Sequence, residues 1–258
     1  MLGAGSWGTA LALVLARSGV STFLWDCDGA HIEALKSARE NARHLPGIRF
    51  PKCLLPIADL KAPGADVSDV VIAVPCEGLR SALQALRETH GTNVQLCLAS
   101  KGLEPGTLLL NHEVASQCLG AVPCAILSGP SFAAEVARGL PTVVTIASVA
   151  AATAEHFALL FHCDTFRIYT HDDVIGVQVG GAVKNVMAIA AGISDGLGFG
   201  ANARAGLITR GLAEIMRRSV AARSVAASRS AFIMPVSQTG PGQTALTRMQ
   251  SFAWHRAR

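Results

Sequence analysis

The chain has 258 residues, of which 50% are hydrophobic and 16% are charged. This composition excludes an intrinsically disordered protein and supplies enough apolar side chains for a large core. The net charge of +4 comes from the C-terminal end, because residues 217–258 contain seven arginines and no acidic residue. The rest of the chain has no basic surplus, and we therefore expect no nucleic-acid partner.

The spacing of the cysteines and the longest apolar stretch argue against a metal-binding, a disulfide-rich and a membrane protein. The seven cysteines are scattered and none forms a C-x-x-C pair, which predicts neither a metal site nor a disulfide framework and favours a reducing, cytoplasmic location. The longest apolar stretch, 176–193, is interrupted by Gln178, Lys184 and Asn185. We therefore expect no membrane insertion, and no signal peptide is visible at the start.

Strand-like and helix-like segments alternate over the first 170 residues, which predicts an α/β fold with a doubly wound, mostly parallel, Rossmann-like sheet. Short runs rich in β-branched and apolar residues predict strands at residues 21–25, 67–74, 94–99, 123–127 and 142–146. Apolar residues at helical spacing predict helices at residues 9–18, 31–43, 79–88, 107–118, 131–138 and 150–161. Because the strands are almost continuously apolar, we expect the sheet to be buried on both faces.

The pattern changes near residue 170 and again near residue 218. Asp172 or Asp173 can cap a helix that the glycines at 196, 198 and 200 end, and a second helix is predicted at 203–217. Residues 219–258 have no amphipathic period and predict a disordered tail. We therefore divide the chain into a dinucleotide-binding domain (1–170), a partial all-helical substrate domain (171–218) and an atypical tail (219–258).

The first chemical motif is Gly3-Ala4-Gly5-Ser6-Trp7-Gly8, which matches G-x-G-x-x-G ahead of a predicted helix. Such glycines allow a tight turn, the approach of a pyrophosphate to the backbone, and close packing of helix on strand. Asp26 follows the next strand, where an acid usually accepts the ribose hydroxyls of a dinucleotide. A purely structural turn is the alternative. Only Met1 and Leu2 precede the glycines, so we expect either a very short central strand or a few missing residues.

Two lysines are candidate site residues. Lys101 follows a predicted strand, where parallel sheets bind ligands, although an ordinary solvated loop lysine has the same pattern. Lys184 lies in an otherwise apolar helix, next to Gly180 and Gly181, which would let a backbone or a ligand come close. A buried lysine loses its proton readily and suits acid–base chemistry, whereas a lysine that snorkels to the surface is the structural alternative.

These motifs together resemble bacterial NAD(P)-dependent sn-glycerol-3-phosphate dehydrogenases. The matching blocks run in family order over residues 1–216: GAGSWGTALA from Gly3, NARHLPGIRFP from Asn41, SKGLE from Ser100, SGPSFAAEV from Ser128, and the long block from Ile175 that begins IGVQVGGAVKN. The resemblance implies a Rossmann domain followed by a helical domain. It also implies hydride transfer between NAD or NADP and C2 of glycerol 3-phosphate or dihydroxyacetone phosphate, serving glycerophospholipid synthesis in the cytoplasm, with a homodimer as one possible assembly.

The resemblance also implies roles for individual residues. Lys184 matches the catalytic lysine that moves a proton to or from the C2 oxygen. Substrate contacts match Lys101, Gly129, Ser131 and Asn185, while cofactor contacts match Ser6, Trp7, Lys101 and Ala133. The glycine motif adds Gly3, Gly5, Gly8 and Asp26 as cofactor-binding candidates. A turn in which Ser131 merely caps the next helix is the structural alternative for the Ser128 block.

The sequence departs from the family pattern in two places. Asp26 and Cys27 stand where the family often has a cation that pairs with the 2′-phosphate of NADP, which predicts a preference for NAD. The family's Gly-Leu-Gly-Asp-Leu and Ser-Arg-Asn blocks do not occur, and the pattern stops near Met216 in a way that suggests a shifted reading frame. We therefore expect impaired activity. A catalytically dead NAD(P)-binding remnant and another two-domain hydroxy-acid dehydrogenase are the alternatives.

Overall fold

The structure, a computed structural model, describes residues 1–64 and 67–232, and of these the side chains up to Met216. The described helices are α1 (Ser6–Arg17), α2 (Gly29–Ala38), α3 (Cys76–His90), α4 (Asn111–Leu119), α5 (Ala133–Ala137), α6 (Ala151–Phe161), α7 (Val174–Gly196) and α8 (Gly200–Phe232). The described strands are β1 (Thr22–Trp25), β2 (Glu40–Asn41), β3 (Leu45–Arg49), β4 (Leu54–Ile57), β5 (Asp69–Ile72), β6 (Gln95–Leu98), β7 (Cys124–Ser128), β8 (Thr142–Ala147) and β9 (Phe166–His171).

The central position of the main sheet is occupied by Leu2. Strands β5 to β9 pair in sequence order, and β1 pairs with β4. Leu2 joins the two groups because its N–H donates to the Val71 carbonyl oxygen at 2.8 Å, while the Gly3 N–H donates to the Trp25 carbonyl oxygen at 2.8 Å. The order across the sheet is therefore β4, β1, Leu2, β5, β6, β7, β8, β9.

Most neighbours in this sheet are parallel, as predicted. The β7–β8 pair alone among the described pairs of the sheet is antiparallel, with Leu127 opposite Ile146. Parallel pairs require long crossover connections, which here are helices. The carboxyl ends of Leu2, β5, β6 and β7 consequently meet at one edge, where open α/β sheets bind ligands.

The sheet is buried on both faces, which explains why its strands read as continuous apolar runs. In β6, Cys97 packs into a core with Leu11 of α1 and Phe157 of α6, whereas Leu96 and Leu98 pack into a second core with residues of α3 and α4. Successive side chains of a strand point to opposite faces, so each central strand contributes to both cores. The α/β prediction is therefore confirmed, with a mixed sheet in which parallel pairs predominate.

The segment 39–57 was wrongly predicted in part. The helix expected to continue to residue 43 ends at Ala38, and Arg39 adopts a left-handed conformation with φ 54°. The Arg39 guanidinium donates to the carbonyl oxygens of Leu54 at 2.9 Å and Pro51 at 2.6 Å. These long-range bonds stop the helix and begin the β2–β3 hairpin and β4, none of which the apolar periodicity indicated.

Two further helices begin later than predicted, and one strand was missed. Helix α4 starts at Asn111 rather than at 107, because Leu108 has φ 58° and the Thr107 hydroxyl bonds to Glu104 instead of starting a helix. Helix α5 starts at Ala133, and no side chain caps it; the Ser131 hydroxyl donates instead to the Gly129 carbonyl oxygen at 3.5 Å. Strand β9 pairs in parallel with β8, although its exposed residues masked it in the sequence.

The predicted change to helices after residue 171 is confirmed. The Asp173 carboxylate accepts from the Gly176 N–H at 2.8 Å and caps α7. Helix α8 runs to Phe232 rather than 217, so the beginning of the segment predicted as a disordered tail is helical. No glycine or proline lies between residues 212 and 234, and alanine and arginine favour helix. The rest of the segment, from 233, lies outside the described residues.

The chain forms two compact units, Met1–Ser219 and Val220–Arg258. The predicted domain boundary near residue 170 falls inside the first unit and stays a prediction. Helix α7 is also long and apolar enough to cross a membrane by length and composition, and 17% of its most apolar window is buried.

Candidate active site

The candidate site lies where the carboxyl ends of the parallel strands meet. Leu2 leads into the glycine turn, β6 leads into Ser100 and Lys101, and β7 leads into Gly129 and Ser131. Helix α7 crosses the same edge. Its Gly181 lies so close to β7 that an added Cβ would stand 2.6 Å from the Ser128 hydroxyl oxygen.

The three glycines of the turn have different physical roles. Gly3 has φ +103°, and an added Cβ would lie 2.9 Å from the Ala73 carbonyl carbon, while a Cβ on Gly8 would collide with the Gly3 carbonyl oxygen. Gly5 has nothing within 4 Å of an added Cβ and precedes α1 without a side-chain cap. Gly3 and Gly8 therefore permit the packing of the turn, whereas Gly5 leaves open space at an uncapped helix N-terminus, which attracts anions.

The turn is braced by side chains from outside it. The Asp26 carboxylate accepts from the Ala4 N–H at 2.7 Å and from the Asp28 N–H at 3.1 Å. The Ala4 carbonyl oxygen accepts from the Asn41 side-chain amide at 2.8 Å and lies 3.3 Å from His31 Nε2. Asp26 is therefore next to the turn, as the dinucleotide pattern requires, and it also holds the turn in place.

The residues present fit a dinucleotide. The Trp7 indole N–H is buried and has no hydrogen-bond partner among the described residues. Trp7 lies in the first turn of α1, two residues after Gly5. An unsatisfied buried donor is costly unless a ligand or water accepts from it, so the donor, the uncapped helix and the open glycine together suit an anionic cofactor.

Lys101 lies on a loop that is fixed at both sides. The Ser100 hydroxyl donates to the Val74 carbonyl oxygen at 2.6 Å, and the Asn111 side-chain amide donates to the Ser100 carbonyl oxygen at 2.9 Å. Lys101 Nζ lies 5.0 Å from the centroid of the Trp7 ring. Burial, followed by the charge of Lys184, lowers the pKa of Lys101 to about 8.

Lys184 projects from α7 to the mouth of the sheet. Its ammonium donates to the carbonyl oxygens of Ser131 at 3.2 Å and Gly129 at 3.4 Å, and lies 5.3 Å from the Phe132 ring centroid. It is also the neighbour that acts electrostatically on Lys101. The structure therefore brings Lys101, Lys184, Gly129, Ser131 and Trp7 together in one place.

Comparison with known proteins gives the same result over most of the chain. Residues 1–154 match the family model of the NAD-dependent glycerol-3-phosphate dehydrogenase N-terminus, and residues 173–249 match the model of its C-terminus. The chain belongs to this family. The second match extends past residue 217, where the recognisable motifs end.

Individual relatives agree with the family assignment. The chain is 54% identical over 222 residues to glycerol-3-phosphate dehydrogenase (NAD(P)+) of Nitrosococcus oceani, covering 86% of this chain and 64% of the relative. The crystal structure of the Coxiella burnetii glycerol-3-phosphate dehydrogenase has a TM-score of 0.81 and 44% identity, covering 85% of this chain and 67% of that one. The Saccharomyces cerevisiae enzyme has a TM-score of 0.70 and 30% identity, with 84% and 68% covered.

The chain therefore spans about two thirds or less of the length of these dehydrogenases. The Nitrosococcus oceani relative is covered to 64%, and the Thioalkalivibrio sulfidiphilus relative, 52% identical over 223 residues, to 67% of its length and 86% of this chain. The match to the N-terminal family model spans residues 1–154, and the match to the C-terminal model spans the shorter range 173–249.

Three predicted site residues are less firmly placed than the others. Asn185 and Ser6 are exposed, and Ala133 is partly buried at the start of α5. Asn185 follows Lys184 directly but has no recorded side-chain bond within the described part of the chain. Ser6 and Asn185 are open to a ligand, whereas Ala133 packs partly against the core, and the predicted roles of all three stay predictions.

The sequence did not reveal the side chains that support the two lysines. Glu104 accepts from the Arg80 guanidinium through both oxygens, at 2.7 and 2.8 Å, and from the Thr107 hydroxyl at 2.5 Å. This pair ties the Lys101 loop to α3. The bond with Arg80, followed by that with Thr107, lowers the pKa of Glu104 to about 2.

Gln178 performs the corresponding role for α7. Its side-chain amide lies 2.8 Å from His112 Nδ1, and its carbonyl oxygen accepts from the His112 N–H at 3.2 Å. Gln178 is 5% exposed. A polar residue in an apolar helix was the available signal, but its partner lies 66 positions away and could not be read from the sequence.

Histidine and cysteine form no alternative centre in the described ranges. No group of three or more His, Cys, Asp or Glu side chains there is placed to hold a metal ion. The seven cysteines are free thiols, and burial raises the pKa of Cys76, Cys97, Cys118 and Cys124. The chemistry of the site therefore depends on the two lysines.

Proposed function

We propose that this chain is an NAD(P)-dependent oxidoreductase of the glycerol-3-phosphate dehydrogenase type, which interconverts sn-glycerol 3-phosphate and dihydroxyacetone phosphate. The observation that supports it most is the position of Lys184 Nζ at the mouth of the sheet, within 3.4 Å of the loop after β7 and next to Lys101. The names of the relatives supply the substrate class, and the uncapped start of α1 supplies the place for the cofactor phosphates.

Each lysine has a distinct role in this proposal. The bound nicotinamide supplies or accepts the hydride at C2. Lys184, oriented by the carbonyl oxygens of Gly129 and Ser131, donates a proton to the C2 oxygen during reduction and accepts it during oxidation. Lys101 adds positive charge beside the developing oxyanion, and the anchored Ser100 keeps that amine in place.

Cofactor selectivity follows from Asp26. Its carboxylate lies at the end of β1, hydrogen-bonded to the Ala4 N–H at 2.7 Å. A negative charge in this position accepts ribose hydroxyls and repels a 2′-phosphate. We therefore propose NAD as the preferred cofactor, and a higher kcat/KM with NADPH than with NADH would contradict it.

Turnover of dihydroxyacetone phosphate with NADH tests the function directly. We expect NADH to be consumed when dihydroxyacetone phosphate is added, because both lysines and the glycine turn lie at one edge of the sheet. Replacing Lys184 by Met removes the proton donor and should lower kcat about a hundredfold or more, with little change in NADH affinity. An unchanged kcat in K184M would contradict the role of Lys184.

Cofactor binding without any turnover would instead support the second candidate, a nucleotide-binding remnant. The specific observation that favours it is the complete glycine turn in a chain that covers 64% of the Nitrosococcus oceani relative. The two proposals differ in one result, since both predict NADH binding but only the first predicts that NADH is consumed when dihydroxyacetone phosphate is added.

The location, assembly and partners of the protein are also part of the proposal. Contacts of α7 with the sheet, through Gln178, Gly181 and Lys184, favour packing on the Rossmann domain over membrane insertion. We propose a cytoplasmic protein that acts on a small phosphorylated substrate, with a homodimer as its candidate assembly and no nucleic-acid partner.

A further inference from the structure

The two lysine amines share one pocket mouth but touch different groups. Lys184 Nζ donates to two backbone carbonyl oxygens, at 3.2 and 3.4 Å. Lys101 Nζ faces the Trp7 ring at 5.0 Å, and within the described part of the chain no carbonyl or carboxylate oxygen is hydrogen-bonded to it. Lys184 therefore has acceptors for its ammonium form, whereas Lys101 has an aromatic face and a second cation.

These surroundings disfavour the charged form of the Lys101 amine. A charged amine that is desolvated and placed beside another cation loses its proton most easily. Burial is the larger cause at Lys101, and Lys184 adds to it both as a neighbouring charge and as a hydrogen-bonding N–H; together they lower the pKa of Lys101 to about 8. Lys184 is the charged side chain that acts on Lys101 among the described residues.

A neutral lysine in such surroundings is a nucleophile towards carbonyl carbon. We propose that Lys101 is a covalent capture site for small phosphorylated aldehydes, which it binds as imines when the dehydrogenase substrate is absent. The Lys101 nitrogen bonds to the carbonyl carbon, the carbonyl oxygen leaves as water after proton transfer, and a C=N bond replaces the C=O bond. Nothing is oxidised or reduced. The Lys184 ammonium supplies the positive charge that attracts the phosphate.

This capture goes beyond the proposed dehydrogenase activity and needs neither nicotinamide nor hydride transfer. A chain without turnover can still form the imine, and an active chain can lack it. The two proposals therefore fail separately, and the capture can be measured on the full chain without cofactor.

The experiment uses pyridoxal 5′-phosphate, a phosphorylated aldehyde, with cyanoborohydride to fix the imine, and peptide mass spectrometry to locate the adducts between pH 6 and 10. At pH 8 about half of the Lys101 amines are neutral, against about 0.3% for an amine with the ordinary pKa of 10.5. We expect Lys101 to be labelled at least about tenfold faster than Lys36, Lys52 and Lys61 at pH 7.5, with its rate levelling off near pH 8.

Two variants of Lys184 test whether its charge, rather than a general change in packing, affects the labelling of Lys101. Lys184→Met removes the neighbouring charge, and the labelling profile of Lys101 should shift to higher pH. Lys184→Arg keeps that charge, and the profile should stay close to that of the wild type. Lys61→Met, at an exposed position, is the control, because it should change neither the charge beside Lys101 nor the labelling profile of Lys101.

Three results would overturn the proposal. They are labelling of Lys101 no faster than that of the exposed lysines, faster labelling of Lys184 than of Lys101, and equal labelling by pyridoxal, which lacks the phosphate. If K184M does not fold, the wild-type profile and K184R still decide the outcome.

Discussion

Gly5 and Gly8 lie three residues apart, yet an added side chain should have different consequences at the two positions. A Cβ at Gly8 would collide with the Gly3 carbonyl oxygen inside the turn, whereas a Cβ at Gly5 would meet no protein atom within 4 Å. Gly8→Ala should therefore lower Tm. Gly5→Ala should leave Tm near that of the wild type and weaken NADH binding, because the methyl group occupies the space for the pyrophosphate.

Thermal unfolding and NADH titration of the two variants check this difference. Equal losses of Tm in Gly5→Ala and Gly8→Ala would contradict the separation of roles. The G-x-G-x-x-G pattern predicted the turn, but it could not show that Asn41 and Asp26 hold Ala4, because those partners are distant in sequence.

Lys101 gives a prediction of pH-dependent stability at the residue scale. Its pKa in the folded chain, about 8, lies below the ordinary 10.5, so the unfolded chain binds more protons between these values. The cost of burying the charge is fully present below pH 8 and disappears as the pH rises towards 10.5. Lys101→Met should therefore raise Tm at pH 7.

The gain from Lys101→Met should shrink as the pH increases from about 8 to 10.5. Lys61→Met, which is exposed, is the control and should show no such window. A gain that stays constant with pH would show that packing rather than charge is responsible.

At the scale of elements, the loop between β6 and α4 depends on Glu104. The folded-state pKa of this carboxyl group is about 2, below the ordinary 4.5. The stability contributed by the ionised group is therefore present above pH 4.5 and is lost as the pH falls towards 2. Glu104→Gln should lower Tm at pH 7, and the difference from the wild type should narrow in the acid range.

Glu33 provides the matched control, since it pairs with Lys36 on the exposed face of α2. Exposed ion pairs contribute little to stability, so Glu33→Gln should leave Tm almost unchanged at pH 7 and in the acid range. Equal effects of the two substitutions would contradict an anchoring role for Glu104.

Helix α7 depends in the same way on Gln178. Its reciprocal contact with His112 fixes the helix two turns before Lys184. Gln178→Leu should speed hydrogen exchange in the first turns of α7 and lower kcat while leaving NADH affinity unchanged. Gln84→Leu, on the exposed face of α3, is the control, and protection of α7 equal to that of the wild type would contradict the role of Gln178.

For the whole molecule, the sequence predicted the sheet and the helices that cover it better than the short strands β2, β3 and β4. Runs such as β6 are apolar on both faces, and this pattern alone indicates a sheet covered by helices. Strands β2, β3 and β4 are short, β3 and β4 contain proline, and Arg39 donates to the carbonyl oxygens of Pro51 and Leu54 beside them. Contacts between residues distant in sequence are part of these strands, and the local sequence pattern does not show such contacts.

Several large apolar side chains on α7 and α8 are exposed in the part of the chain that the structure describes. Val186, Ile189 and Ile193 on α7 and Leu197 just after it recur at helical spacing and are 58–65% exposed, and Ile208, Leu212 and Met216 are exposed on α8. Contiguous exposed apolar surface of this kind binds hydrophobic dyes and partners. Ile189→Lys with Ile193→Lys should reduce the fluorescence of bound anilinonaphthalene sulfonate without lowering Tm.

Leu159→Lys is the control for that surface, since Leu159 is 79% exposed on α6, away from the two helices. Dye fluorescence that falls equally in the control would contradict a binding surface on α7 and α8.

The most direct test of the central claim is calorimetric titration of the full chain with NADH, in the wild type, Gly5→Val and Lys184→Met. The wild type and Lys184→Met should bind with similar affinity, because Lys184 acts on the substrate oxygen, while Gly5→Val should bind far more weakly. Absence of NADH binding in the wild type, or binding unaffected by valine at position 5, would contradict a cofactor site at this turn.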